Sequence, residues 1–150
     1  MSERLSGGCQ CGAVRYEITG PLEGPHICHC RMCQKAFGNF FAALVGTRRE
    51  HFRFTRGTPG IFKSSSVVER GFCGQCGTPL TFAYVDSPRI AVSIGSLDHP
   101  EQVTPENQYG IESRHPAFSL LHSLPGSRTE DDVPPERLAR FKSRQHPDHD

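Results

Sequence analysis

Three cysteines within six residues, in the run Cys28-His29-Cys30-Arg31-Met32-Cys33, constrain this chain more than any other stretch. Thiolates crowded so closely repel one another unless a cation neutralises them, so a metal-binding hairpin is expected here, with zinc as the cation. Two more cysteine pairs flank the run, Cys9-x-Cys11 before it and Cys73-x-x-Cys76 after it, and together they account for all seven cysteines. In a reducing compartment this spacing favours metal ligation over a disulfide framework, and the odd count leaves one thiol without a disulfide partner.

A cytoplasmic location is expected, because Met1-Ser2-Glu3-Arg4 leads into no apolar leader segment and no run approaches the roughly 18 apolar residues of a spanning helix. The 150 residues suit one domain, expected over 1–143, with 144–150 as a disordered polar tail. At 35% hydrophobic residues and no Trp the core is lean, and bound metal would help to hold it. Seventeen Lys and Arg against sixteen Asp and Glu leave a net charge of +1, so no global field draws the chain to nucleic acid or an anionic membrane, and neither is expected as a partner. The oligomeric state is left open.

The apolar pattern is that of short strands. Val14, Tyr16 and Ile18 alternate with Arg15, Glu17 and Thr19, and Phe52 and Phe54 alternate with His51, Arg53 and Thr55. Phe40 to Val45 is a short continuous apolar run, as in a buried strand, while 61–63, 67–72, 80–85 and 90–94 read as further strands separated by turn residues. A short helical turn is expected over 34–37 and a helix over 134–143, which opens with two prolines. The fold class that follows is mostly β, with antiparallel sheets in a single domain.

Cys9, Cys11, Cys73 and Cys76 make a closed tetrahedral set of four thiolates, the composition of a structural zinc, and would tie the first turn to a knuckle much later in the chain. Cys28, Cys30 and Cys33 fill three corners of a second tetrahedron. No cysteine remains for the fourth, which leaves either a catalytic zinc with an exchangeable position or a site closed by histidine, His26 being better placed than His29. Zinc with three thiolates keeps one net negative charge, so it acidifies bound water poorly and is better suited to take another thiol and ready it for attack on carbon. The chemistry pointed to is carbon-sulfur bond formation or cleavage.

The blocks Gly8-Cys9-Gln10-Cys11-Gly12-Ala13-Val14-Arg15-Tyr16, Cys28-His29-Cys30-Arg31-Met32-Cys33 and Phe72-Cys73-Gly74-Gln75-Cys76-Gly77-Thr78-Pro79-Leu80 resemble the glutathione-dependent formaldehyde-activating enzyme family, which also includes centromere protein V. Gly95-Ser96-Leu97-Asp98 resembles a further block, and the likeness runs from about Leu5 to about Pro125. The resemblance implies a β-tent fold, a structural zinc on Cys9, Cys11, Cys73 and Cys76, and a catalytic zinc on Cys28, Cys30 and Cys33, two ions per chain. The implied activity is that of a carbon-sulfur lyase joining glutathione to formaldehyde as S-hydroxymethylglutathione, so the expected partner is a small thiol such as glutathione. One segment departs from the family, whose members often carry His, Trp and Trp where this chain has Gln108, Gly110 and Ala117, around Ser113-Arg114-His115-Pro116.

Secondary expectations attach to other residues. Phe118 or Tyr109 would stand in for the missing aromatics, Arg114 would meet a substrate carboxylate, and Gln34 and Lys35 would contact a bound anion. His26, His29 and His115 are candidates for proton transfer. Two competing readings remain at this stage. Arg48, Arg49, Arg53 and Arg56 would serve a non-catalytic zinc module that binds a protein or nucleic acid, and the inner cysteines would serve a thiol redox protein only if they were free of metal.

Overall fold

Side chains on a strand alternate between two faces, and the two faces of the larger sheet carry different cargo. In the computed structural model, which describes residues 4–150, the strands are β1 (Leu5–Gly8), β2 (Arg15–Ile18), β3 (Glu23–Cys28), β4 (Ala42–Arg48), β5 (Phe52–Arg56), β6 (Gly60–Lys63), β7 (Val68–Phe72), β8 (Pro79–Tyr84), β9 (Arg89–Ser93) and β10 (Asn107–Tyr109). The first three residues of the expected domain, on which the leaderless start was also read, lie outside the described residues. A three-stranded sheet has the order β1-β2-β5, and a seven-stranded sheet the order β10-β3-β4-β9-β8-β7-β6. All pairings are antiparallel except β10 with β3.

The register explains the continuous apolar run in β4. Val45 lies opposite Val92 on the face that meets Tyr16, Ile18, Leu80, Ile94 and Leu97 in the main core. Ala42 and Leu44 point the other way and join Ala91, Cys33 and the partly buried Cys28, Cys30, Phe37 and Phe82 in a second cluster. A strand covered on both faces loses the polar alternation of a half-buried one. The inner cysteines therefore sit on the side of the large sheet that faces away from the small sheet.

The small sheet buries more than its apolar residues. Arg15 and Glu17, which the alternation assigns to solvent, are each 2% exposed. Arg15 donates from Nη1 and Nη2 to Asp98 at 2.8 and 2.6 Å, Ser6 Oγ donates to the same carboxylate at 2.5 Å, and Glu17 is paired with Arg53 and Arg4. Tyr16, fully buried, bonds Ser96 Oγ at 2.7 Å. A Cβ on Gly7 would fall 2.5 Å from both that phenol oxygen and the Ser96 carbonyl oxygen. Gly7→Ala is expected to cost about 1–3 kcal/mol through this crowding, read as a lower Tm by circular dichroism.

Two helical expectations change. The helix after the inner cysteines is longer than one turn, α1 (Arg31–Phe37), and ends on Gly38 at φ 58°, the left-handed cap that glycine adopts without strain. The segment over 134–143 forms only α3 (Pro135–Leu138), which follows α2 (Thr129–Asp132), and neither buries a residue. A short helix with no face to bury lacks the tertiary packing that stabilises most helices. Residues 144–150 carry no helix or strand but touch the body, His146 N–H donating to Gln10 O at 2.7 Å and Asp150 accepting from Arg15 Nε at 3.0 Å.

Candidate functional site

The outer four cysteines come together from two tight turns. After β1 the chain folds back so that Cys9 N–H meets Val14 O at 2.9 Å, and Val14 N–H points at Cys9 Sγ at 3.2 Å. The turn between β7 and β8 repeats the pattern, with Cys73 N–H on Thr78 O at 3.0 Å and Gln75 N–H 3.4 Å from Cys73 Sγ. All four sulfurs lie within 4.8 Å of one another, Cys9 to Cys11 at 3.6 Å and Cys11 to Cys73 at 3.8 Å. Sulfurs at about 2.3 Å from a tetrahedral zinc would be about 3.8 Å apart, so the cage fits that ion and is far too wide for disulfides. Cys9 and Cys73 are buried while Cys11 and Cys76 are exposed. Burial tends to raise the Cys76 thiol, but the hydroxyl and amide of Thr78 outweigh it and bring it down to about 6.

The inner three sulfurs also lie within 4.8 Å of one another. The expected hairpin is instead a junction between a strand and a helix: Cys28 ends β3, Cys30 is the N-cap of α1, and Cys33 sits one turn into that helix. The Cys33 amide donates to Cys30 Sγ at 3.4 Å. As bare thiols, burial pushes Cys28 up to about 12 and raises Cys33 against the pull of Arg70; Cys30 is held low by the Cys33 amide and the neighbouring sulfurs despite its own burial. Such a set favours a cation that would replace the protons.

No histidine joins either group of sulfurs among the described residues. His29 points away from the cysteines on either side of it, as the spacing suggested. It is fully buried, donates from Nε2 to Gln108 Oε1 at 2.8 Å, and its Nδ1 has no partner among the described residues. His26 Nδ1–H is taken by Gly24 O at 2.8 Å, which leaves Nε2 an acceptor, and its ring lies edge-on 5.0 Å from Tyr109. His115 stacks on Phe40 at 4.1 Å, its Nδ1 accepting the Ala117 amide.

The departing segment builds one wall of the site. β10 runs parallel to β3 with Tyr109 opposite Cys28, and a Cβ on Gly110, whose φ is +64°, would fall 2.8 Å from Cys30 N. Phe118 meets His29 edge-on at 4.7 Å and Phe41 at 5.6 Å, packing on the ring that points away from the cysteines, while Tyr109 lies beside Cys28 through the pairing of β10 with β3. Gln34 does not serve an anion: its amide nitrogen donates to His29 O at 2.8 Å and Ser113 O at 2.9 Å, pinning this wall to α1. Arg114 is exposed.

On the other side stands a residue the sequence did not single out. Arg70 of β7 is 7% exposed and donates from Nη2 to Cys33 Sγ at 3.4 Å. Nothing in Val68-Glu69-Arg70-Gly71-Phe72 marks it; only the register that sets Arg70 beside Phe82 and turns both toward the inner cysteines does so.

A chain of this architecture, two sheets carrying two separate cysteine groups, belongs to the glutathione-dependent formaldehyde-activating enzyme family, whose description matches residues 4–113. Among its relatives, "Putative glutathione-dependent formaldehyde-activating enzyme" of Halomonas elongata is 27% identical over 154 aligned positions, covering 93% of this chain and 95% of that one. An "Uncharacterized lyase" of Schizosaccharomyces pombe is 34% identical over 82 residues, 53% of this chain and 58% of that protein. The fold is shared with a crystal structure of a Rhodobacter sphaeroides protein at TM-score 0.55 and 24% identity, covering 69% of this chain and 98% of that one.

Proposed function

We propose that this protein is a zinc-dependent carbon-sulfur lyase acting on a small thiol adduct, with glutathione and formaldehyde giving S-hydroxymethylglutathione as the best-supported pair. The observation that carries this reading is the inner group of three sulfurs with no fourth protein ligand among the described residues. Family membership and the printed names of the relatives support the same substrate pair. When bound, zinc would supply a soft Lewis acid that lowers the pKa of an incoming thiol.

Cys28, Cys30 and Cys33 would hold that ion, and Cys9, Cys11, Cys73 and Cys76 would hold a second one whose work is structural. In the forward direction the thiol sulfur forms a bond to the formaldehyde carbon, the carbonyl π pair moves to oxygen, and the thiol proton ends there as the hydroxyl. Tyr109, opposite Cys28, and Gly110, close against Cys30, would bound the adduct on one side.

The arginines that a non-catalytic binding module would use are engaged within the chain, which supports the lyase over that reading. Arg53 is paired with Glu17, Arg48 Nε meets Glu50 at 3.1 Å, Arg49 bonds the Ser87 and Tyr84 carbonyls at 2.9 and 3.1 Å, and Arg56 bonds Gly12 O at 3.1 Å. Arginines already engaged by their own chain make a poor electrostatic patch.

Metal analysis of wild type and Cys30→Ser tests the reading. Two ions per wild-type chain, one for each cysteine group, are expected to fall to one in the variant. With cobalt in place of zinc, glutathione should perturb the wild-type spectrum and leave the Cys30→Ser spectrum unchanged. An inner cobalt indifferent to every thiol tried would rule the lyase out.

A further inference from the structure

Arg70 is a buried guanidinium with no carboxylate partner among the described residues. Burying such a cation costs several kcal/mol unless an opposite charge meets it. Its Nε donates to Ser64 Oγ at 2.9 Å, Nη1 has no partner among the described residues, and its face lies 5.0 Å over the Phe82 ring. One flank adjoins a cavity of about 280 Å³ lined by Phe37 at the end of α1, Phe62, Phe72 and Thr81, none of them anionic. A hydroxyl and a ring cannot balance a full charge. The one contact able to do so is Nη2 with Cys33 Sγ at 3.4 Å.

The charges then close. Three thiolates around a divalent cation leave one negative charge, and Arg70 brings the assembly to neutrality within a setting that salt screens weakly. A fourth thiolate entering an isolated centre of that kind would meet like charge; entering beside Arg70 it would not. We infer that Arg70 is the positioning residue of the inner cysteine centre, holding the Cys33 sulfur and offsetting the centre's charge so that an anionic fourth ligand, the thiolate of the substrate, can join. The inference rests on the thiol-adduct reading above and adds what makes the open position selective for an anion. Ser64 and Phe82 set the guanidinium plane, and the planar fork is why lysine would replace it only in part.

The test uses the cobalt form of Arg70→Met and Arg70→Lys, each as a difference spectrum against its own Cys30→Ser version. A hydrogen bond to a thiolate lowers its lone pair in energy, so Arg70→Met should move the sulfur-to-cobalt charge-transfer band to longer wavelength before any thiol is added. Glutathione should then bind roughly 10- to 100-fold more weakly, the usual scale for loss of such an outer partner, while imidazole, a neutral ligand, should bind about as it does to wild type. Arg70→Lys should recover part of the glutathione affinity.

An Arg70→Met protein with an unmoved band and unmoved glutathione affinity overturns the inference, and so does equal weakening of glutathione and imidazole, which would mark a merely structural arginine. Should Arg70→Met fail to fold, Ser64→Ala keeps the guanidinium but removes its anchor, and a smaller shift of the same sign is expected; none at all would again count against Arg70. A wild-type centre that ignores glutathione defeats the lyase reading instead, and the band shift still decides whether Arg70 acts on the sulfur.

Discussion

Cys73→Ser is expected to remove the outer metal ion and most of the cooperative fold with it. Cys73 is 1% exposed, and its sulfur reaches Cys11 across 62 residues of sequence, so the cage staples the β1–β2 turn to the β7–β8 turn. Binding of a structural zinc is worth about 10–16 kcal/mol, as much as or more than the 5–15 kcal/mol by which domains are ordinarily stable. The variant should hold one metal ion per chain at most and should show either no cooperative melt by circular dichroism or a Tm lowered by tens of degrees. Cys30→Ser, by contrast, should melt much as wild type does, because the inner group spans a single strand-helix junction and closes no long loop. A Cys73→Ser protein that melts like wild type would strip the outer cage of its structural role.

Much of this was legible because spacing and alternation are local signals. The cysteine pattern alone separates a group of four from a group of three, and the two groups are the ones that assemble. Alternation places β2 and β5, whose apolar residues face the main core, and turn residues mark off β8 and β9. It misses β1, β3 and β10, which run through Leu5-Ser6-Gly7-Gly8, Glu23-Gly24-Pro25-His26 and Asn107-Gln108-Tyr109. Glycine, proline and short polar runs carry no period; these segments become strands because neighbours offer them a ladder.

The charged interior was hidden for a related reason. Arg15, Glu17 and Arg70 occupy positions where alternation or simple polarity assigns solvent, and each is buried by a partner distant in sequence: Asp98, Arg53 and Cys33 respectively. A pattern read from one strand says which residues share a face but not what covers that face. At Gln34 the same blindness worked in reverse, since a residue judged free to meet an anion spends its amide on two carbonyls of its own chain.

Asp98→Ala should be the most destabilising change outside the cysteines, by about 3–5 kcal/mol, because it strands a buried charge rather than merely deleting a bond. Arg15 would keep only Asp150, whose side chain is 49% exposed, and Ser6 Oγ would lose its acceptor. For a chain of this size that amounts to a fall in Tm of roughly 10 °C or more. Asp150→Ala, removing the exposed member of the network, should cost about 1 kcal/mol or less.

The same pair makes a prediction in pH. Burial alone would raise the Asp98 carboxyl, but the two bonds from Arg15 and the one from Ser6 outweigh it and hold the group below its ordinary value. A carboxyl lower in the folded chain than in the unfolded one stabilises the fold fully above the unfolded value, about 3.9, and that contribution disappears as pH falls through the folded value. The gap in stability between wild type and Asp98→Ala should therefore stay constant from neutrality down to about pH 5 and narrow below it, as denaturant melts at a series of pH values would show. Acid also protonates the thiolates, but it does so in both proteins, so the difference isolates Asp98. A gap that persisted unchanged to pH 2 would mean that Asp98 holds the strands together by shape and not by its charge.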